Sequence, residues 1–519
     1  MTPKNKFYIT TPIYYVNAQP HIGHVYTTTL ADIIARYHRQ RGADVFFLTG
    51  TDEHGKKVSD AAHDRGLTPQ QFVDQISGEF ESTFKRFQFT HNDFIRTTQP
   101  RHKSRVQQYV KQLIDRDDIY LGEYEGWYDQ GQEEYITETN ARDQNYKSAV
   151  SGQPLTKVQE NNYFFRLSKY QDQLVEYIQE NPEFIQPKAR RNEVLARINA
   201  GLNDVAISRT TEAWGVPMPT DESHSIYVWI DALFNYVTTI DADDCNHYWP
   251  ADVHLIGKEI LWFHAVIWPA ILLALDRPIY KQLYAHSFWI HEGQKMSKTL
   301  GNFIDLSKLD DYVNEFGLDA LRYYLATQGP IGTSDADFAH EKFVSVYNAD
   351  LANTIGNCTN RVCNMTNRYF GGTLPEHGPH VKESETYDQT AKECVDQYVD
   401  AMSRLQLDAA AASALQLVRA IDGYIDKTQP FKLAKQAENM PAVGTILYNC
   451  TEALRIASLL LWPFLPIKIE KLWKQIGCQK YVDAVGNRGL GDFESWTQWG
   501  QMQPGTPILQ TEPLFPRKK

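Results

Sequence analysis

The sequence predicts an α/β protein: a doubly wound parallel sheet with an inserted domain, followed by an all-α helix bundle. Three observations predict this. Short apolar runs alternate with helical stretches over about residues 1–116 and again over 223–283. The intervening 117–222 loses that alternation, and from about 339 onward apolar residues recur at helical spacing. With 519 residues the chain is too long for one core, so several domains are expected.

The elements follow in order. Residues 6–11 read as a short buried strand, 22–41 as a helix ended by Gly42, and 44–49 (DVFFLT) as a second strand, which together make a βαβ unit. Helical segments follow at 69–87 and 102–116. Residues 120–139 are rich in aromatic, Gly, Gln and Glu residues, and 140–160 are polar and turn-rich, so 117–222 is read as an insertion. Alternating βα texture resumes at Ser225 (SIYVWIDALFNYV) and Val253, with 260–275 a buried helix and 284–291 a strand. The Glu292-Gly293 turn then opens a region that runs to 338. Beyond it, Leu351, Ile355, Cys358, Val362, Met365 and Tyr369 step by four and three. Ile469, Leu472, Trp473 and Ile476 repeat the pattern, with Lys468, Lys471 and Lys474 on the other side.

Composition narrows the function. A 42% hydrophobic and 22% charged chain is an ordinary soluble globular one. With 64 acidic against 52 basic residues, a generally basic nucleic-acid coat is excluded, though a local positive groove is not. The start MTPKNK leads into a strand without a signal or transit pattern, and no apolar run reaches the roughly 20 residues of a membrane span. A cytoplasmic protein with no membrane partner is expected. The six cysteines begin at Cys245 and include no C-x-x-C pair, so no disulfide framework and no zinc site are expected. Cys358 falls on a helix core face rather than in a metal site.

Two motifs point to nucleoside triphosphate chemistry. His21-Ile22-Gly23-His24 begins a helix just after a strand, where N–H donors and the macrodipole favour an anion. One such histidine is usually a cap; two of them around Ile-Gly are rarer, and Gly23 lets a ligand ring approach the backbone. Lys295-Met296-Ser297-Lys298-Thr299 follows a turn and precedes Gly301, the make-up of a loop that closes on a substrate. Its bland reading is a solvated charge run, and the histidines argue against that. Thr49-Gly50-Thr51-Asp52-Glu53-His54-Gly55 lies at the C-terminal end of the second strand, where open α/β sheets bind ligands. Asp52 there is either a substrate-ammonium partner or a helix cap. Tyr14-Tyr15, Trp229-Ile230-Asp231-Ala232-Leu233 and Ile260-Leu261-Trp262-Phe263-His264 read by residue type alone as core.

Taken together these residues resemble a class I aminoacyl-tRNA synthetase, most closely the methionyl family. The resemblance runs over nearly the whole chain, from TPIYYVNAQPHIGH through TGTDEHG, GWY at 126–128, NYFFRLS at 161–168, ISR at 207–209, VWIDAL and IGKEILWFH to KMSKT and LDALRYYL. It implies a Rossmann-type catalytic domain in two halves (1–116 and 223–283), a connective insertion (117–222), a signature-loop and stem-contact region (284–338) and an α-helical anticodon-binding domain with its tail (339–519). It implies that His21 and His24 stabilise the pentavalent α-phosphorus and that Lys295 and Lys298 neutralise the departing pyrophosphate. Gly23 and Ser297 would join them around ATP, and Gly257 and Glu259 would hold the adenosine ribose. Asp52 would hold the ammonium of methionine, with Arg209 nearby. Ile13, Tyr15, Trp229, Ala232, Leu233, Tyr236, Ile260 and His264 would form the methionine pocket, which reverses the reading of those aromatics as plain core.

The implied chemistry needs no general base, because the methionine carboxylate is ionised at neutral pH when it attacks ATP. Positioning and charge neutralisation then do most of the catalysis. Mg²⁺ would arrive with the ATP, held largely by phosphates and water. The methionyl group would pass to a terminal ribose hydroxyl of tRNA(Met). A thioether suits contact with aromatic rings, and a pocket separates methylenes by only about 1–3 kcal/mol. Homocysteine is therefore a hazard, which the family removes by cyclisation.

Three departures stand out. Many family members carry cysteine zinc knuckles in the insertion, whereas 117–222 has no cysteine. Thr299 replaces the usual final serine and keeps the hydroxyl. Asp422-Gly423-Tyr424 before Pro430-Phe431 stands where the family often has Asn, a basic residue and Tyr before Pro-Trp. The rival readings are a synthetase for leucine, isoleucine, valine or cysteine, and an RNA-binding protein on a retired scaffold. The insertion is short for an editing domain, the cysteine ligands are missing, and both signature motifs are intact. The chain ends soon after the helical bundle, so a monomer is expected.

Overall fold

The computed structural model describes residues 5–518 apart from 18, 130–133, 137, 150–151, 211–213, 242–244, 292, 297–302, 379–380, 382–386 and 487–492. Its centre is a six-stranded parallel sheet. The strands are β1 (Lys6–Tyr15), β2 (Asp44–Asp52), β3 (Asp93–Arg96), β4 (Ile185–Gln186), β5 (Val253–Gly257) and β6 (Gln282–His286), in the order β3-β2-β1-β5-β6-β4. The order reverses at β1, so β1 and β5 diverge above their carboxyl ends and leave a crevice there. Val45, Phe47 and Leu48 of β2, and Leu255 and Ile256 of β5, are buried, as expected for strands covered on both faces.

The βαβ unit forms at the expected place. Helix α1 (Ile22–Gln40) leaves the end of β1, and Gly42, with φ of 85°, turns the chain into β2. Both strands run further than expected. The register of β1 against β2 shifts between Thr10 and Ile13, then pairing resumes from Ile13 with Gly50 to Tyr15 with Asp52. Pro12 sits in that irregularity, and a proline within an apolar run reads from sequence as the end of a strand.

Three further elements differ from expectation. The segment 284–291 is not one strand: β6 ends at His286, and Trp289–His291 joins a separate small sheet with Gln294–Lys295 and Ala336–Asp337. The run at Ser225 belongs to Asp221–Ile226, which pairs antiparallel with Pro217–Met218 and Ser208–Arg209 outside the parallel sheet. The expected helix at 260–275 is broken into a 3-10 turn Lys258–Ile260, a π-helical turn Phe263–Ile267 and an α-helix Trp268–Ala274. Pro269 accounts for the break, since it has no N–H to donate and its ring crowds the carbonyl four residues earlier.

Within 117–222, Ile119–Asp129 and Thr156–Phe165 form a long antiparallel ladder, flanked by Glu134–Ile136 and Val205–Ala206. The same stretch sends β4 back to the edge of the parallel sheet. Two residues between Pro182 and Pro187 carry no period, so this strand was invisible in sequence. The C-terminal part is helical, with Tyr387–Ser403, Leu407–Thr428 and Met440–Leu461 packed together. It grips α1 directly: Gln40 donates Nε2–H to the carbonyl of Leu459 at 3.0 Å. Arg322 bridges Asp32 of α1 at 2.7 Å and the carbonyl of Pro463 at 3.2 Å.

Candidate active site

A cavity of about 420 Å³ opens in the crevice above β1 and β5. One end is the start of α1. His21 is the N-cap, with extended backbone; its Nδ1 accepts the N–H of Gly23 at 3.1 Å, and His24 Nδ1 accepts the N–H of His21 at 3.2 Å. This reciprocal arrangement is a capping box built from two imidazoles. Because each Nδ1 accepts, a neutral ring at either position carries its proton on Nε2. The rings lie 3.8 Å apart, and His24 also rests on Tyr14 and Phe80. Burial, and after it the ring of His21, holds His24 well below the usual histidine range. It is a neutral donor, which can meet an anion without first losing a proton.

The chain that follows the lysine motif returns to this point. Ile22 donates its N–H to the carbonyl of Ile304 at 3.3 Å, and the ring of Phe303 lies 5.1 Å from that of His21. The backbone of Lys295 pairs with Ile290 in the small sheet. Ser297, Lys298 and Thr299 lie outside the described residues.

The other end of the cavity is mostly apolar. Ile13 and Tyr15 from the end of β1, Asp52 from the end of β2, and Trp229, Ala232 and Leu233 from the helix Val228–Leu233 line it with Tyr236, Ile260 and His264. Trp229 stacks on Phe263 with centroids 4.3 Å apart. Tyr236 and Nε2 of His264 are 2.7 Å apart, and burial lowers the His264 pKa to about 4. Such a ring is neutral under ordinary conditions and suits an uncharged side chain.

Gly23, Gly257 and Glu259 also line the cavity. A side chain at Gly257 would lie 2.4 Å from the Glu259 carboxylate, so the glycine makes room for that group. Arg209 is buried in the small antiparallel sheet, with its guanidinium 3.9 Å above the ring of Tyr227, and is not among the residues lining the cavity. Among the described residues, no group of three or more His, Cys, Asp or Glu side chains is arranged to hold a metal ion.

Sequence reasoning missed several lining residues. Tyr26, Thr27, Lys57, Asn235, His286 and Phe288 face the same cavity. Thr27 Oγ1 and His286 Nε2 are 2.8 Å apart, which ties α1 to the end of β6. His286 was hidden by the reading of 284–291 as one strand. A strand stop at the Ser287-Phe288 step, next to a ligand edge, is the signal that would have exposed it.

Comparison with known proteins agrees with this geometry. The family described as tRNA synthetases class I (M) matches residues 7–144 and 139–363. The chain is 44% identical over 530 residues to a methionine–tRNA ligase of Halalkalibacterium halodurans, covering 98% of this chain and 78% of the relative. It is 43% identical to that of Bacillus subtilis, over 99% of this chain and 78% of the relative. Among solved structures, Mycobacterium tuberculosis methionyl-tRNA synthetase in complex with methionyl-adenylate superposes with a TM-score of 0.89 at 34% identity, covering 99% of this chain and 100% of that one. The free form of the Mycobacterium enzyme gives 0.85 at 31% identity, over 99% of each chain.

Proposed function

The chain belongs to the class I tRNA synthetases of the methionine type, and on that premise we propose how its residues divide the reaction. The reaction itself is that of a methionine–tRNA ligase. L-Methionine attacks ATP to give methionyl-adenylate and pyrophosphate, and the methionyl group then passes to the 3′-terminal ribose of tRNA(Met).

In this reading the observation that carries most weight is the single cavity joining the paired imidazoles to the aromatic pocket. His21 and His24 donate Nε2–H to oxygens on the α-phosphorus as charge builds there. Preorganised donors of this kind are each worth about 10²–10³ in rate. Lys295, Ser297 and Lys298 meet the β- and γ-phosphates, and Gly257 and Glu259 receive the ribose. Asp52 takes the ammonium of methionine, and Arg209 belongs with it to the polar surroundings of the amino acid. Ile13, Tyr15, Trp229, Ala232, Leu233, Tyr236, Ile260 and His264 surround the thioether. Mg²⁺ enters with ATP as part of the substrate, and no zinc is needed.

We divide the chain into catalytic halves 1–116 and 223–283, a connective insertion 117–222, a signature-loop region 284–338 and an anticodon-binding region 339–519. No described helix is long and apolar enough to cross a membrane. A cytoplasmic monomer is the form we propose.

Amino-acid-dependent ATP–pyrophosphate exchange without tRNA tests the site reading, with methionine set against leucine, isoleucine and cysteine. Exchange with methionine alone is expected. Exchange with another of the four would keep the class and overturn the pocket assignment.

A further inference from the structure

Behind the apolar end of the cavity lies a buried polar cluster to which no role above is given. Asp231, in the helix Val228–Leu233, is fully buried. Its Oδ2 is 2.7 Å from Nδ1 of His54, and its Oδ1 is 3.0 Å from Nε2 of His102. Nδ1 of His102 in turn lies 2.8 Å from Oγ1 of Thr238. An ionised carboxylate only accepts, so both rings donate to it, and the Thr238 hydroxyl lies against the far side of His102. Burial alone would raise the affinity of Asp231 for a proton, yet His102 and then His54 hold it well below the usual carboxylate range.

One carboxylate therefore ties three segments together. His54 stands two residues beyond Asp52, on the loop after β2. That loop is also held by Trp214, whose indole donates to the carbonyl of Glu53 at 2.6 Å and whose carbonyl accepts from Gly55 at 2.9 Å, and by Glu53, which takes Arg96 at 2.6 Å and donates its N–H to Thr97 at 2.9 Å. Trp214 also packs edge-on to His54, with centroids 5.7 Å apart. His102 belongs to the helix Pro100–Asp115. Asp231 itself lies between Trp229 and Ala232, which face the cavity on the other side of its helix. A buried ion pair is a poor source of stability compared with apolar packing. What this one supplies is geometry, because it joins the two walls of the pocket at fixed hydrogen-bond lengths.

We infer that Asp231, held by His54 and His102, is a positioning residue for the amino-acid pocket. It sets the spacing between Asp52 on one wall and Trp229, Ala232 and Leu233 on the other. It thereby governs affinity for the amino acid rather than the rate of attack on phosphorus. The inference rests on the proposed assignment of those four residues to the methionine site.

The test uses the full chain in pyrophosphate exchange, with separate titrations of methionine and ATP. Asp231→Asn keeps the shape and removes the charge, and His102→Gln removes one strut if the first variant folds poorly. Thermal melting identifies which variants are folded. Displacements of the order of 1 Å at a positioned site cost up to about 10²-fold. The expected result is a methionine KM raised about tenfold or more, with kcat within about threefold and ATP KM unchanged. An unchanged methionine KM in a folded variant, or equal losses in kcat and in both KM values, would overturn the inference. Asp52→Asn and Trp229→Ala in the same assay test the assignment beneath it. If they leave methionine KM unaltered, that assignment fails; if they raise it and Asp231→Asn does not, only the positioning role fails.

Discussion

Tyr236 donates its phenol proton to Nε2 of His264 at 2.7 Å, while the other ring nitrogen lies 3.0 Å from the carbonyl of Ile260. The carbonyl can only accept, so the ring proton sits on Nδ1 and Nε2 is the acceptor. Tyr236→Phe removes the donor and little volume. It leaves a buried ring nitrogen unsatisfied, at about 1–3 kcal/mol. We expect methionine KM to rise about tenfold with ATP KM unchanged. A methionine KM equal to that of the parent would take this pair out of the pocket.

The same burial makes stability pH-dependent. His264 and His286 are each lowered from 6.5 to about 4, chiefly by burial. As pH falls below 6.5, the unfolded chain binds a proton at each ring before the folded chain does. Folding stability contributed by these rings is therefore complete above about pH 6.5 and is lost progressively toward pH 4, by at most about 3 kcal/mol each. Urea unfolding followed from pH 7 to pH 4.5 should show a falling midpoint. His286→Gln should flatten that slope, and an unaltered slope would show that His286 is not buried in its neutral form.

Gly257 has φ of −78°, which any residue adopts, so backbone strain does not explain it. The explanation is space: an added Cβ would lie 2.4 and 2.6 Å from the two carboxylate oxygens of Glu259. Gly257→Ala should push that flexible carboxylate aside and barely alter the melting temperature. If Glu259 holds the ribose, ATP KM should rise roughly fivefold, the loss of about one hydrogen bond. A normal ATP KM would separate Glu259 from the nucleotide.

These residues show what a sequence can and cannot reveal here. The βαβ unit and the two histidines were legible because an apolar run, a helix and a glycine stop are local signals. The extension of β1 past Pro12 was not, because there the ladder is set by its neighbour. Trp229, Leu233 and Ile260 read as core by type alone, and only resemblance moved them to a pocket. The His54–Asp231–His102 cluster was illegible for another reason. Its members are separated by 177 and 129 positions, and a polar residue beside a helix start reads from sequence as a cap.

Lys298 lies outside the described residues, but the chain just beyond it is anchored at the histidines through Ile304 and Ile22. That anchor brings the segment after the lysine motif to the histidines. Lys298→Ala should slow adenylate formation about 10²–10³-fold while methionine affinity stays near normal. Single-turnover kinetics with equilibrium binding of methionine makes the distinction. A normal single-turnover rate would remove this lysine from its proposed role.

A buried charge on the helix Leu318–Gln328 joins the site helix to the helical C-terminal part, beside the Gln40–Leu459 hydrogen bond. Arg322 donates to Asp32 of α1, which also accepts from Arg36 at 2.7 Å and from the N–H of Thr90 at 2.7 Å. Both Arg322 and Asp32 are fully buried. Arg322→Met would leave Asp32 with part of its compensation and cost about 3 kcal/mol or more. Asp32→Asn alone would strand two buried guanidinium groups at a similar cost. The double variant should be more stable than the sum of the two losses implies, because each single change leaves the other charge exposed to the same penalty. Denaturant unfolding of the four proteins measures this coupling, and strict additivity would show that the Arg322–Asp32 pair adds nothing to that join.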